Sequence, residues 1–89
     1  MKYGNLYATA GIAADMEQDR QFAAEVLEAF RRYQLGDWGV VCSEDRKLND
    51  WSAAHDERVL AAYGTSKGRI WIITEWDRSA TTILYPSEY

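Results

Sequence analysis

The chain has 89 residues and a formal charge of −4, with 47% hydrophobic and 27% charged residues. That leaves room for one domain and one core, and the composition is that of a globular chain rather than a disordered one. It excludes a general basic footprint for nucleic acid, and no apolar run approaches the ~20 residues of a membrane-crossing helix.

Residues 5–10, Asn-Leu-Tyr-Ala-Thr-Ala, read as a short strand, and Gly11 opens a turn. Ile12 to Met16 reads as a single helical turn. Residues 19–34 carry the clearest helical pattern. Phe22, Val26, Phe30 and Tyr33 recur at steps of four, four and three and so share one face, widened by Ala23, Leu27 and Ala29. Asp19 is the expected N-cap, Gly36 the expected residue just past the C-terminus, and Glu28 with Arg32 an expected ion pair in the favourable order.

Asp37-Trp-Gly-Val-Val-Cys42 forms a connector. Ser43 is the expected N-cap of a second helix over 44–55, with Glu44 and Asp45 against its positive end and Leu48, Trp51 and one of Ala54 or His55 turned inward. The period then changes to two. Residues 58–63 read as a strand, Gly64–Gly68 as a hairpin loop, 69–76 as the central strand, Asp77–Ala80 as a turn, and 81–85 as a last strand stopped by Pro86. The order predicts an α+β fold: a short N-terminal strand, two helices, then a three-stranded antiparallel meander with the helices packed on one sheet face. The first strand is placed at an edge of that sheet.

Catalytic constellations are sparse. Cys42 is the only cysteine and His55 the only histidine. They stand at opposite ends of one predicted helix, ~20 Å apart at 1.5 Å per residue, too far for a nucleophile pair. Two such ligands also fall short of a structural zinc site. Cys42 reads as a small buried hydrophobe, and Gly64-Thr-Ser-Lys-Gly68 leads into a strand, not into the helix a phosphate loop requires. Glu75 and Asp77 form the one candidate carboxylate pair, although Asp-Arg-Ser is also ordinary turn chemistry. No cofactor motif or metal set is present, so a non-enzymatic role is expected. A lone cysteine and the lack of an apolar leader in Met1–Gly11 fit a cytosolic chain.

Charge and aromatic content point instead to protein contacts. Residues 15–57 hold eleven acids against five bases, a local −6, whereas 58–89 sum to +1. Asp37, Glu44, Asp45 and Asp50 around the second helix, with Glu75 and Asp77 at the strand end, are the candidate contacts of an acidic surface that occupies a basic groove on another protein. The chain has four Trp, six Tyr and two Phe. Trp38, between Gly36-Asp37 and Gly39, is either a plug of the core or an interface anchor, and Trp76 is a second anchor candidate. A homodimer through an aromatic patch is the alternative.

Several stretches together resemble one family: Leu6-Tyr7-Ala8-Thr9, Gly36-Asp37-Trp38-Gly39, Cys42 with Glu44-Asp45, Asn49, Arg69-Ile-Trp-Ile-Ile-Thr-Glu75, Asp77-Arg78-Ser79, Thr81-Thr82 and Pro86-Ser-Glu-Tyr89. The family is one of short single-domain bacterial proteins carried on plasmids, phages and other mobile elements. Val40 departs from it, standing where an acid is usual, and Trp76 replaces a small residue. The resemblance implies a genetic context rather than an activity. Small proteins of mobile elements are often counter-defence factors, anti-CRISPR proteins among them, which makes a CRISPR-Cas effector complex, at its DNA-binding surface, the expected partner.

Overall fold

The computed structural model describes all residues, Met1–Tyr89. The elements are β1 (Asn5–Ala8), α1 (Ala10–Gln18), α2 (Arg20–Gln34), α3 (Ser43–Ala54), β2 (Val59–Thr65), β3 (Gly68–Thr74), β4 (Ala80–Leu84) and a final 3-10 turn, Pro86–Glu88. One four-stranded sheet has the order β1-β4-β3-β2. β2, β3 and β4 form the antiparallel meander, and β1 lies parallel to β4 at the outer edge.

α2 forms for the reasons its sequence advertises. Phe22, Val26, Ala29 and Tyr33 are buried, and Phe30 is half-buried beside them. The Asp19 side chain accepts from the Phe22 amide at 3.1 Å. At the other end Gly36 takes φ +77°, its amide bonds to Tyr33 O, and the Asp37 amide reaches back to Arg32 O. These are the two bonds of a Schellman cap, which needs a residue free to adopt positive φ. The expected Glu28–Arg32 pair does not form: Glu28 pairs with Arg31 at 2.6 Å, and Arg32 turns to Asp37.

The N-terminal region departs from expectation. The strand ends at Ala8, and a full helix of nine residues replaces the single turn expected at Ile12–Met16. The signal for α1 lies at the far end of the chain. Glu88 accepts from Thr9 Oγ1 at 2.6 Å and from the Gly11 amide at 3.1 Å, and so caps the helix from 77 residues away. A Cβ on Gly11 would come within 2.7 Å of that carboxylate.

α1 and α2 cover one face of the sheet, where Ile12, Phe22, Val26 and Tyr33 meet Val59, Ala61, Ile70, Ile72 and Ile83. On the other face Tyr89 packs edge-on against Trp71 at 5.6 Å and carries the Arg58 guanidinium over its ring. No helix is long and apolar enough to cross a membrane.

A chain of buried hydroxyls ties the layers together. Thr81 Oγ1 donates to Tyr3 O at 2.7 Å, which uses its only proton. Thr74 must then donate to Thr81 at 2.8 Å, and Tyr33 to Thr74 at 2.6 Å. The direction of every bond follows from the last acceptor. Burial pushes the Tyr33 hydroxyl up to about 12. An unfolded tyrosine ionises near 10, so the folded state holds the proton longer. The corresponding stabilisation is complete below pH 10 and is lost as pH rises toward 12, an effect of roughly 2–3 kcal/mol. In urea melts Thr81→Val should cost about 2 kcal/mol because it orphans both the Thr74 donor and the Tyr3 carbonyl, while Tyr33→Phe should cost about 1. Tyr33→Phe should also make the stability loss between pH 10 and 12 shallower, the remainder coming from Tyr63 and Tyr85, whose hydroxyls burial raises as well. Equal costs for the two variants would contradict this bond order.

Candidate partner-binding surface

The connector between α2 and α3 is built to close one edge of the sheet. Trp38 O accepts from the Ala62 amide at 3.2 Å, and the Val40 amide donates to Ala62 O at 2.8 Å. Gly39 makes this approach possible: its φ is +78°, and a Cβ there would fall 1.9 Å from Ala62 O. Trp38 is only 5% exposed, packs edge-on to Tyr33 at 5.3 Å, and donates its indole N–H to Asp50 at 2.8 Å. It is therefore the plug of the core and is unavailable as an interface anchor.

The six candidate carboxylates do not gather into one patch. Asp37 is held by both Arg32 nitrogens at 2.7 and 3.3 Å and by the Gly39 amide, and these bonds keep its carboxyl below the usual range. Asp50 serves Trp38. Glu75 lies 3.3 Å from the Arg58 guanidinium. Asp77 accepts from the Ser79 hydroxyl at 2.6 Å and its amide at 3.0 Å, and both lower its pKa. Asp77 opens onto a cleft with Met1, Lys2, Asp56, Trp76 and Arg78, which Glu75 does not line, so the two acids share no site. Trp76 itself is exposed.

Glu44 and Asp45 differ. They stand in the first turn of α3, exposed, and their carboxylates make no hydrogen bond or ion pair. The helix begins one residue earlier than expected, with Cys42 as N-cap, its sulfur accepting from the Asp45 amide at 3.4 Å. Cys42 is exposed, not buried, because that capping role holds it at the surface.

The facing of α3 also reverses expectation. Asn49 and Ser52 are the buried residues of the helix. The Asn49 amide donates to Leu60 O at 2.9 Å and accepts from the Leu60 amide at 3.4 Å, occupying a ladder position on the edge of β2. Leu48 is left 58% exposed and Trp51 51%. Glu44, Leu48, Trp51 and His55 follow one another at steps of four, three and four, a single stripe on the helix flank. His55 stacks on Trp51 at 4.3 Å with 10° between the planes. Arg46 and Asp50 fall on the opposite flank, toward Asp37 and Trp38. Beside the stripe, Val41, Asp45, Leu48, Arg58 and Leu60 help to line a cleft of about 270 Å³.

A residue that sequence reasoning passed over fixes this helix in place. Arg78 has φ +58° and a side chain only 10% exposed. Its guanidinium donates to Ser52 O at 2.8 Å, Glu57 O at 2.7 Å and Glu75 O at 3.1 Å. It thus caps the end of α3 and joins it to the start of β2 and the β3–β4 turn. Only the turn sequence Asp77-Arg78-Ser79 marked this position. Arg78→Ala should lower stability by about 3 kcal/mol, since three carbonyls lose a charged donor. The amides at the C-terminal turn of α3 should lose hydrogen-exchange protection first. Protection there equal to that of the native chain would refute the clamp.

No family model, curated protein sequence or solved structure matches the chain.

Proposed function

We propose that the protein is a non-catalytic inhibitor that binds a partner through the outer flank of α3. What supports the reading is one observation: α3 turns its polar residues Asn49 and Ser52 to the sheet and its apolar Leu48 and Trp51 to solvent, beside the unpaired carboxylates of Glu44 and Asp45. A half-exposed tryptophan stacked on His55 is the kind of anchor that dominates interface energetics. The two acids at the helix start select a partner with lysine or arginine around an apolar socket and steer its approach. Basic residues that otherwise hold phosphate are such a partner. The mobile-element resemblance makes the DNA-binding surface of a CRISPR-Cas effector complex the first one to test. The acidic contact in this reading is narrower than the charge count implied, because Asp37, Asp50, Glu75 and Asp77 have partners within the chain.

The test is inhibition of target-DNA binding by purified effector complexes, read by gel shift. Trp51→Ala should weaken inhibition at least 30-fold, in line with a hot-spot loss of about 2 kcal/mol or more. Reversing both Glu44 and Asp45 to Lys should abolish it with the fold intact by circular dichroism. Inhibition by the native chain should weaken steeply between 50 and 200 mM salt, about the range over which charge pairs at such surfaces are screened. Full inhibition by both the double reversal and Trp51→Ala would remove α3 from the contact.

A further inference from the structure

The two edges of the sheet are treated differently by the fold. The β2 edge is closed twice, by the backbone of Trp38–Val40 and by the Asn49 amide. The β1 edge has no such cover. All four of its residues are exposed, and Asn-Leu-Tyr-Ala contains no charge and no proline. Free strand edges are usually protected by such residues, because an open edge is a template for another strand.

The polar groups on offer can be named. Asn5 donates to Ser79 O, just before β4, and Thr9 to Ile83 O within it. Backbone groups alternate along a strand, so the N–H and C=O of Leu6 and Ala8 point away from the sheet. Leu6 also borders a groove of about 210 Å³ between β1 and the helices, with Met16, Leu27 and Phe30 among its walls, and every residue lining it is apolar. Leu6, Tyr7 and Leu27 are 51%, 52% and 65% exposed.

We propose that this edge is a dimer contact, in which a second copy of the chain pairs its β1 antiparallel to the first and runs the two four-stranded sheets into one. The register is determined by the alternation. A two-fold axis through Tyr7 sets Leu6 opposite Ala8 of the second copy, and the outward groups of both exchange hydrogen bonds, about four in all. The two Tyr7 residues then face each other as a non-hydrogen-bonded pair. An axis through Leu6 would instead call on Gly4, whose φ of +64° takes the chain out of the extended region. With the axis perpendicular to the sheet, both Leu6 side chains stay on the α2 side, as the Leu6–Thr81 register requires, and the two grooves meet.

Charge permits the contact. β1 carries none, and Glu28 and Arg31, near Leu27 on α2, neutralise each other at 2.6 Å. A four-residue ladder with three exposed side chains lies at the small end of specific interfaces, below about 1,200 Å² in total. An interface of that size makes a reversible dimer rather than an obligate one. It is independent of the α3 contact and responds oppositely to salt: each copy carries −4, so screening tightens the dimer while it weakens the α3 contact.

Light scattering on a concentration series tests it. The mass should rise from 10.2 kDa toward twice that between about 10 μM and 1 mM, and more readily at high salt. Leu6→Lys with Leu27→Lys should hold the chain at the monomer mass and leave α3-dependent inhibition unchanged. A second readout does not rely on that variant folding. In a Cys42→Ser background, Tyr7→Cys should form a disulfide-linked dimer on mild oxidation at least tenfold faster than Leu35→Cys, because facing positions in such a pair lie within disulfide reach. A monomer mass across the whole range overturns the proposal, and so does crosslinking of Tyr7→Cys no faster than of Leu35→Cys.

Discussion

The bond pair between the Asn49 amide and the backbone of Leu60 decides what this protein shows to solvent. Where a helix covers an edge strand, the outward N–H and C=O groups must find partners within the protein, and here a side chain from that helix supplies them. Once Asn49 occupies the ladder, the rotation of α3 about its axis is fixed. Ser52, one turn on, must also face inward, where its carbonyl meets the Arg78 guanidinium. Leu48 and Trp51 are then carried to the flank whatever their hydropathy prefers. The apolar surface of α3 follows from a polar requirement of β2.

That coupling explains which parts of the fold could be read from the chain. α2 was legible because its determinants are local: the apolar spacing of Phe22, Val26 and Tyr33, the cap at Asp19 and the positive-φ glycine at Gly36 lie within one stretch of 18 residues. The meander was legible through its alternation and its turns, and the placement of β1 at the sheet edge followed. From its own stretch of sequence α1 reads as a single turn, because its capping carboxylate, Glu88, arrives from the other terminus. The sequence of α3 marks it as a helix but points it the wrong way. Its amphipathic pattern assigns Leu48 and Trp51 to the core, and nothing near Asn49 in sequence names Leu60 as its partner. Arg78 was invisible for the same reason: its three acceptors come from three separate segments.

The candidate site was less legible than the fold. A charge count treats each carboxylate as equally free, and geometry does not. Asp37 lies five residues from Arg32 across a Schellman turn, so the turn itself delivers the pair. Asp50 is taken by the tryptophan that plugs the core, and Asp77 by its own turn. What survives are the two acids at a helix start, where carboxylates suit the helix dipole and need no further partner. The surface that remains is smaller than a −6 segment implied, and it is mixed, acid beside aromatic.

The distribution of exposed apolar side chains carries the argument further. A chain of this length buries only about 60–65% of the surface its unfolded form exposes, so some aromatic area must stay outside. Six of the ten exposed large apolar side chains fall in two groups: Val40, Leu48 and Trp51 lie beside the edge that the protein closes with its own residues, and Leu6, Tyr7 and Leu27 lie at the edge it leaves open, while Met1, Leu35, Trp76 and Tyr89 stand apart from both. The first group surrounds a helix whose backbone bonds are internally satisfied, so a partner there must recognise side chains. The second group flanks unpaired amides and carbonyls, so a partner there must bring a strand. The two ends of one sheet thus call for two kinds of recognition, and the covering of the first by Asn49 and Trp38–Val40 keeps a strand from adding at the wrong end.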